Sequence, residues 1–238
     1  MSVITYETRG KTALVTMTNG ENRQNPTFAA AMLDAISQAV EDKTIKSMVI
    51  TANDEKNWSQ GVDLGFLNAS LKNKAHDDIK GFMYGMNDVF AKLLTAPFPV
   101  VAAMTGHAFG NGAILACACD FRFMRSDRGY FCFPEVDISI PFLPSMNATI
   151  KKALPHHLVN ELQLTGRRAT AEELAAHKVI NVACADQSAT LEDALAYAEG
   201  FTKARPIFAE HKRRLHHHIL DLMETEDRPL IDNLQLMA

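Results

Sequence analysis

The segment from Val100 to Cys119 constrains the fold more than any other part of the chain. An apolar run, Val100–Met104, comes after Pro97 and Pro99 and leads into a glycine-rich turn, Thr105-Gly106-His107-Ala108-Phe109-Gly110-Asn111-Gly112. The next residues, Ala113–Cys119, include no charged side chain. The run reads as a buried strand, and Ala113–Cys119 as a helix. A helix that is apolar all round has no face to offer water, so it must lie at the centre of a domain. Its N-terminus emerges directly from the glycines, which places that end at a cavity. There it presents unpaired N–H groups and the positive end of the helix dipole.

The rest of the chain alternates in the same way. A hairpin is expected at Ile4–Arg9 and Ala13–Thr18, turning at Gly10-Lys11, with further strands at Ser47–Ala52 and Phe121–Met124. Apolar residues at helical spacing mark Phe28–Glu41, behind Pro26, and Ile79–Thr95. Asn53–Gly61 reads as a loop. Later helices are expected at Asn147–Ala153, His157–Thr165, Ala171–Ala176, Leu191–Ala204 and Ile207–Glu224, so the chain beyond about residue 165 is nearly all helix. Strands alternating with helices imply an α/β domain with largely parallel pairing. The sequence shows no internal repeat.

Composition excludes several classes of function. Of the 238 residues, 47% are hydrophobic and 22% charged, which is enough to build a core and rules out wholesale disorder. Lys and Arg number 24 against 28 Asp and Glu, a net charge of −4 that argues against a nucleic-acid binder. No stretch approaches the ~18 apolar residues that a membrane span needs. Met1–Glu7 lacks the features of a secretory leader, and Leu236-Met237-Ala238 is not a peroxisomal tripeptide. Cys117, Cys119, Cys132 and Cys184 do not form a disulfide framework or a zinc-ribbon spacing, so they read as buried small hydrophobes. The expected setting is cytoplasmic and reducing.

Two glycine-containing loops, Ser59-Gln60-Gly61-Val62-Asp63-Leu64 and Gly106–Gly112, each follow a buried strand. Ligands of α/β sheets bind at the carboxyl ends of strands, and N–H groups converging from two loops would form an oxyanion hole. The glycines could equally serve tight turns alone. The absence of Gly-Lys-Ser/Thr excludes a P-loop, and the dinucleotide-binding spacing is also missing.

These residues resemble the signature of the crotonase (enoyl-CoA hydratase/isomerase) superfamily. The resemblance is carried by Val100–Gly112 with Ala116-Cys117-Ala118-Cys119-Asp120-Phe121-Arg122, and by three other segments in matching order. Asn22-Arg23-Gln24-Asn25 resembles the family's CoA-contacting turn. Trp58-Ser59-Gln60-Gly61-Val62-Asp63-Leu64 resembles its oxyanion loop, and Phe133-Pro134-Glu135-Val136 its glutamate segment. Together they span about residues 3–185. The resemblance implies a spiral of ββα turns over residues 1–190, a helical trimerisation region over 191–238, and an acyl-CoA thioester as substrate. Coenzyme A would arrive as part of that substrate, with no separate cofactor and no metal. The partners implied are further copies of the chain, as a homotrimer or a dimer of trimers. By position the oxyanion donors would be the N–H groups of Val62 and Asn111, where Asn111 stands in place of the family's usual glycine. Arg23, Ser59, Gln60, Gly61, Asp63, Gly110 and Ile114 would contact substrate.

Carboxylates decide the chemistry within such a family. Hydration needs one group to activate water and another to protonate the α-carbon. The resemblance places one at Glu135, but the position of the second is Ile114. This pattern is closer to single-glutamate Δ3,Δ2-enoyl-CoA isomerases, in which one carboxylate moves a proton from C2 to C4 of a dienolate. Phe131, Phe133, Phe142 and Ile114 would keep the site dry, and the stripe at 82–90 would form the acyl wall. Asp137 would share the face of Glu135 in extended chain and so stands as a candidate second acid. Asp63 reads as a loop-shaping or capping residue, Asp120 as ordering the next strand, and His107 as a turn residue. His211–His218 reads as a solvated helix face, because adjacent histidines on a helix diverge too widely to share a metal. Thioester hydrolysis through Glu135 or Asp137, hydration, and a catalytically silent acyl-CoA-binding homologue remain as alternatives.

Overall fold

The computed structural model describes residues 2–235; Met1 and the C-terminal tripeptide at 236–238 lie outside the described residues. The chain runs β1 (Ile4–Arg9), β2 (Thr12–Met17), α1 (Pro26–Glu41), β3 (Ser47–Ala52), β4 (Asn57–Ser59), α2 (Leu64–Lys72), α3 (His76–Thr95) and β5 (Val100–Met104). It continues through β6 (His107–Phe109), α4 (Asn111–Ala118), β7 (Phe121–Arg125), β8 (Phe131–Cys132), a 3₁₀ turn (Pro134–Ile138), α5 (Pro144–Ala153) and α6 (His156–Thr165). After these come β9 (Arg168–Ala169), α7 (Ala171–Ala176), β10 (Val182–Cys184), α8 (Gln187–Glu199), α9 (Arg205–Leu222), a π-helical turn (Met223–Asp227) and α10 (Arg228–Asp232).

Six strands form one sheet in the order β1-β2-β3-β5-β7-β10, and four short ones a second in the order β4-β6-β8-β9. The hairpin β1–β2 is antiparallel, and every other pair in the larger sheet is parallel. A repeated unit emerges that the sequence does not display. A long strand, a short strand and then helix recur as β3-β4-α2, β5-β6-α4 and β7-β8 with the 3₁₀ turn. The short strands β4, β6 and β8 span two or three residues. That is too few to show alternation, so Asn53–Gly61 and the glycine turn read as loops. Helix α2 likewise carries no strong apolar stripe, and only Ser70 in it is buried.

Local chemistry explains the element ends. Asn25 caps α1 by accepting from Phe28 N at 3.1 Å, with Pro26 in the first turn. Asp186 caps α8 through Ala189 N at 2.9 Å, so that helix starts earlier than Leu191 and stops at Gly200. Both faces of the larger sheet are covered, as parallel strands require. Helices α1, α3 and α4 share the main core, whereas α8 lies on the opposite face with Ala194, Leu195 and Ala198 against Val49, Val101 and Phe123. The apolar face of α8 is therefore consumed inside the chain. Every residue of α4 is buried, as its composition demands. Ile219, Met223 and Ile231 bring α9, the π turn and α10 into the same core.

Candidate active site

The N-terminus of α4 opens into a cavity of about 100 Å³ lined by Val62, Asn111, Ile114 and Glu135. Its other walls are apolar: Phe82, Met83 and Met86 of α3, Phe142 and Met146, and Leu234 near the end of the chain. Phe131 and Phe133 are fully buried behind this wall, with Phe133 edge-on to Phe142 at 5.8 Å. Trp58, wholly buried, belongs to the core.

Glu135 enters from the 3₁₀ turn after β8, with Pro134 starting the turn. It is 9% exposed, and its Oε2 has no hydrogen-bond partner among the described residues. Burial pushes its carboxyl up from 4.5 to about 7. Oε1 lies against Gly110, where an added methyl would stand 2.8 Å from it. Gly110 also has φ +54°, so this position needs glycine both for its backbone and for the carboxylate beside it.

The two donors arise from backbone that has nowhere else to bond. Gly61 O accepts from Gln24 N at 2.8 Å, and Asp63 N donates to Gln24 O at 2.8 Å. These two bonds bracket Val62 and turn its own N–H the other way, where it meets no acceptor among the described residues. On the second loop, Gly110 N donates to Cys132 O at 2.9 Å, and the first helical bond of α4 is Ile114 N to Gly110 O at 3.1 Å. Asn111 N meets no acceptor among the described residues, at the positive end of the helix. The loops touch at Gly61: a methyl there would lie 2.6 Å from Phe109 O and 3.0 Å from Asn111 N. Two free N–H groups therefore flank one edge of an apolar cavity, with a single acid among the described residues lining it. That arrangement can hold a carbonyl oxygen as it gains charge while one carboxylate takes and returns a proton.

The remaining residues singled out from sequence fall into distinct places. Ile114 lines the cavity one helical turn from Asn111. Ser59 is buried, its hydroxyl donating to Asn22 O at 2.8 Å and accepting from Gly61 N at 3.2 Å. Asp63 caps α2 through Phe66 N at 3.1 Å and accepts from Asn25 Nδ2 at 3.3 Å. Gln60 turns its amide to Asn57, and Arg23 pairs with Glu21 at 2.8 Å; neither lines the cavity. His107, read from the sequence as a turn residue, instead starts β6, with its Nδ1 accepting from Tyr130 N at 3.1 Å.

Two further expectations need correction. Asp137 does not share the face of Glu135, because the chain winds into a 3₁₀ turn there; its side chain is exposed and packs by Gly166. The run His211–His218 is not wholly solvated. Lys212 and His216, one turn apart, point inward: Lys212 donates to Leu93 O and pairs with Asp120 at 2.6 Å, and His216 Nδ1 donates to Leu94 O at 2.9 Å. Asp120 orders its turn by accepting from Val100 N at 2.8 Å, and Lys212 holds it there. Two residues carry no local signal of their role. Gln24 lies within a motif but shows nothing locally of its bond to Asn111, 87 residues away. Leu234 has only its spacing from Leu230 to suggest an inward face.

The model of the family described as enoyl-CoA hydratase/isomerase matches residues 7–233. Over 185 residues the chain is 34% identical to enoyl-CoA delta isomerase 2, peroxisomal, of Arabidopsis thaliana, covering 76% of this chain and 77% of that protein. Over 181 residues it is 33% identical to a carnitinyl-CoA dehydratase of Salmonella typhimurium, covering 74% of this chain and 65% of that protein. An apo enoyl-CoA isomerase structure from Mycobacterium tuberculosis superposes with a TM-score of 0.83 at 24% identity over 98% of both chains, a likeness of fold. With its ββα units, its paired backbone donors and a family match over nearly its whole length, the chain belongs to the enoyl-CoA hydratase/isomerase family, the crotonase superfamily.

Proposed function

We propose that this protein is a Δ3,Δ2-enoyl-CoA isomerase. The observation that carries the reading is the buried carboxyl of Glu135, the one acid among the described residues that line an apolar cavity shared with the Val62 and Asn111 backbone donors, with Ile114 where hydration would need a second acid. Ionised Glu135 takes a proton from C2 of a 3-enoyl thioester. The electron pair moves into the C1–C2 bond and the carbonyl becomes an oxyanion, held by Val62 N–H and Asn111 N–H. The dienolate then collapses, Glu135 returns the proton to C4, and the double bond ends between C2 and C3. Coenzyme A enters as part of the thioester, and no separate cofactor or metal takes part. The apolar wall from α3 and Phe142 receives the acyl chain and keeps out water that would compete for the carbanion. Incubation with a 3-enoyl-CoA should raise the absorbance of the conjugated thioester with no change in product mass. A gain of one water, or release of free coenzyme A, would instead mean hydration or hydrolysis.

The assembly proposed is a homotrimer, or a dimer of trimers, built mainly through residues beyond 190. Support comes from α9, where Ile207 and Leu215 are 54% and 68% exposed. Light scattering should give about three or six times the 26.3 kDa chain mass. A monomer at micromolar concentration would refute it, and Leu215→Glu should shift any trimer toward monomer. No helix among the described residues is long and apolar enough to cross a membrane. Four free, buried thiols support the cytoplasmic setting we propose, and the peroxisomal location of the Arabidopsis relative is that protein's own.

A further inference from the structure

We propose that Gln24 is a positioning residue that holds both halves of the oxyanion hole at once. The inference rests on the reading that Val62 N–H and Asn111 N–H receive the thioester oxygen. Gln24 is wholly buried, and it reaches the two donors by different routes. Its backbone acts on Val62: Gln24 N–H and Gln24 C=O bond the residues on either side and so fix the direction of the N–H between them. Its side chain acts on Asn111: Gln24 Oε1 accepts from Asn111 Nδ2 at 2.6 Å.

The orientation of that side-chain pair is set by a fixed point in the backbone. Asn22 C=O can only accept, so the Ser59 hydroxyl spends its proton on it, at 2.8 Å. Ser59 Oγ is then an acceptor, taken by Gly61 N–H at 3.2 Å and by Gln24 Nε2 at 3.3 Å. With its NH₂ toward Ser59, the Gln24 amide must present its oxygen to Asn111, whose own NH₂ turns to meet it. Asn22 is itself tied down, its Nδ2 donating to Trp58 O at 3.1 Å. One directional chain of hydrogen bonds thus links the backbone carbonyl of Asn22, the Ser59 hydroxyl, the Gln24 amide and the side chain of Asn111, the first residue of α4. Asn111 cannot rotate about the start of the helix without breaking a buried bond, and the unpaired group left behind would be costly. Asparagine at this position gives the chain a handle on a donor that glycine would leave ungripped.

The test is a double-variant cycle on the 3-enoyl-CoA reaction. Gln24→Met keeps an unbranched side chain of similar length and removes the acceptor. It should lower kcat about 5–10-fold with KM changed less than about 2-fold, because a misplaced donor fails the developing oxyanion more than the bound ground state. Asn111→Gly should cost a similar factor, and the double variant no more than either single one. Full additivity, an unchanged kcat for Gln24→Met, or a loss confined to KM would each overturn the proposal. If Gln24→Met does not fold, Asn111→Leu removes the same bond from the other side while keeping the N–H. It should reproduce the kcat loss, and wild-type kcat in that variant would overturn the proposal. Asn111→Pro distinguishes a failure of the oxyanion hole from a failure of its positioning. If it is harmless, the oxyanion-hole reading fails; if it is crippling while the cycle is additive, only the role of Gln24 fails.

Discussion

Glu135→Gln should lower turnover of a 3-enoyl-CoA by roughly 10²–10⁴-fold while leaving binding of the thioester within a few-fold of wild type. The amide preserves the shape that Gly110 accommodates but cannot take the proton from C2. The same substitution should make the protein more stable at alkaline pH. The folded carboxyl is raised to about 7 from 4.5, so its favourable contribution is fully present below pH 4.5 and is lost as the pH rises through 7. Above that range the wild-type chain carries a buried charge that costs up to about 3 kcal/mol, and glutamine does not. Thermal melting should therefore show Glu135→Gln gaining on wild type between pH 4 and pH 8. The rate of the wild-type enzyme should rise through the same window, since only the ionised form is a base. More than half the wild-type rate in Glu135→Gln would show that another group takes the proton, and parallel melting profiles would show that burial does not raise the Glu135 carboxyl.

Asn111→Pro should cost about 10²–10³-fold in kcat, far more than Asn111→Gly. Proline suits the first position of a helix, where its fixed φ fits and no helical bond is lost. What it removes is the free N–H. Glycine keeps that donor and loses only the bond from the side chain to Gln24. Circular dichroism and melting of both variants establish that they fold. Equal losses in kcat would mean that the Asn111 side chain, and not its backbone, does the chemistry.

How much of the fold and site is legible in the sequence depends on the range of the interactions. Helix α4 announces its burial because no residue in Ala113–Cys119 carries a charge or a strongly polar group, β5 is readable as a continuous apolar run, and β3 as a short strand around Met48-Val49-Ile50. Glu135, Val62, Asn111 and Ile114 stand out by motif, and the structure brings all four to one cavity. The repeated ββα unit is hidden because β4, β6 and β8 are short and owe their pairing to neighbours distant in sequence. Asp137 leaves the face of Glu135 because proline starts a 3₁₀ turn where extended backbone is expected. Lys212 and His216 look like members of a charged run, and only Asp120 and the carbonyls ending α3 show why they turn inward. The role of Gln24 is invisible in sequence, since its partners Ser59, Gly61, Asp63 and Asn111 all lie at least 35 residues away.

The central claim is that one carboxylate performs isomerisation without hydration. Position 114 places isoleucine in the wall of the cavity, and isoleucine can neither orient nor deprotonate water. The direct measurement is absorbance of the conjugated thioester in two parallel reactions with the same enzyme stock, one on a 3-enoyl-CoA and one on crotonyl-CoA. A single-carboxylate isomerase makes the band grow in the first and leaves it constant in the second, even at high enzyme concentration. Efficient loss of the band from crotonyl-CoA would contradict that claim and identify the protein as a hydratase.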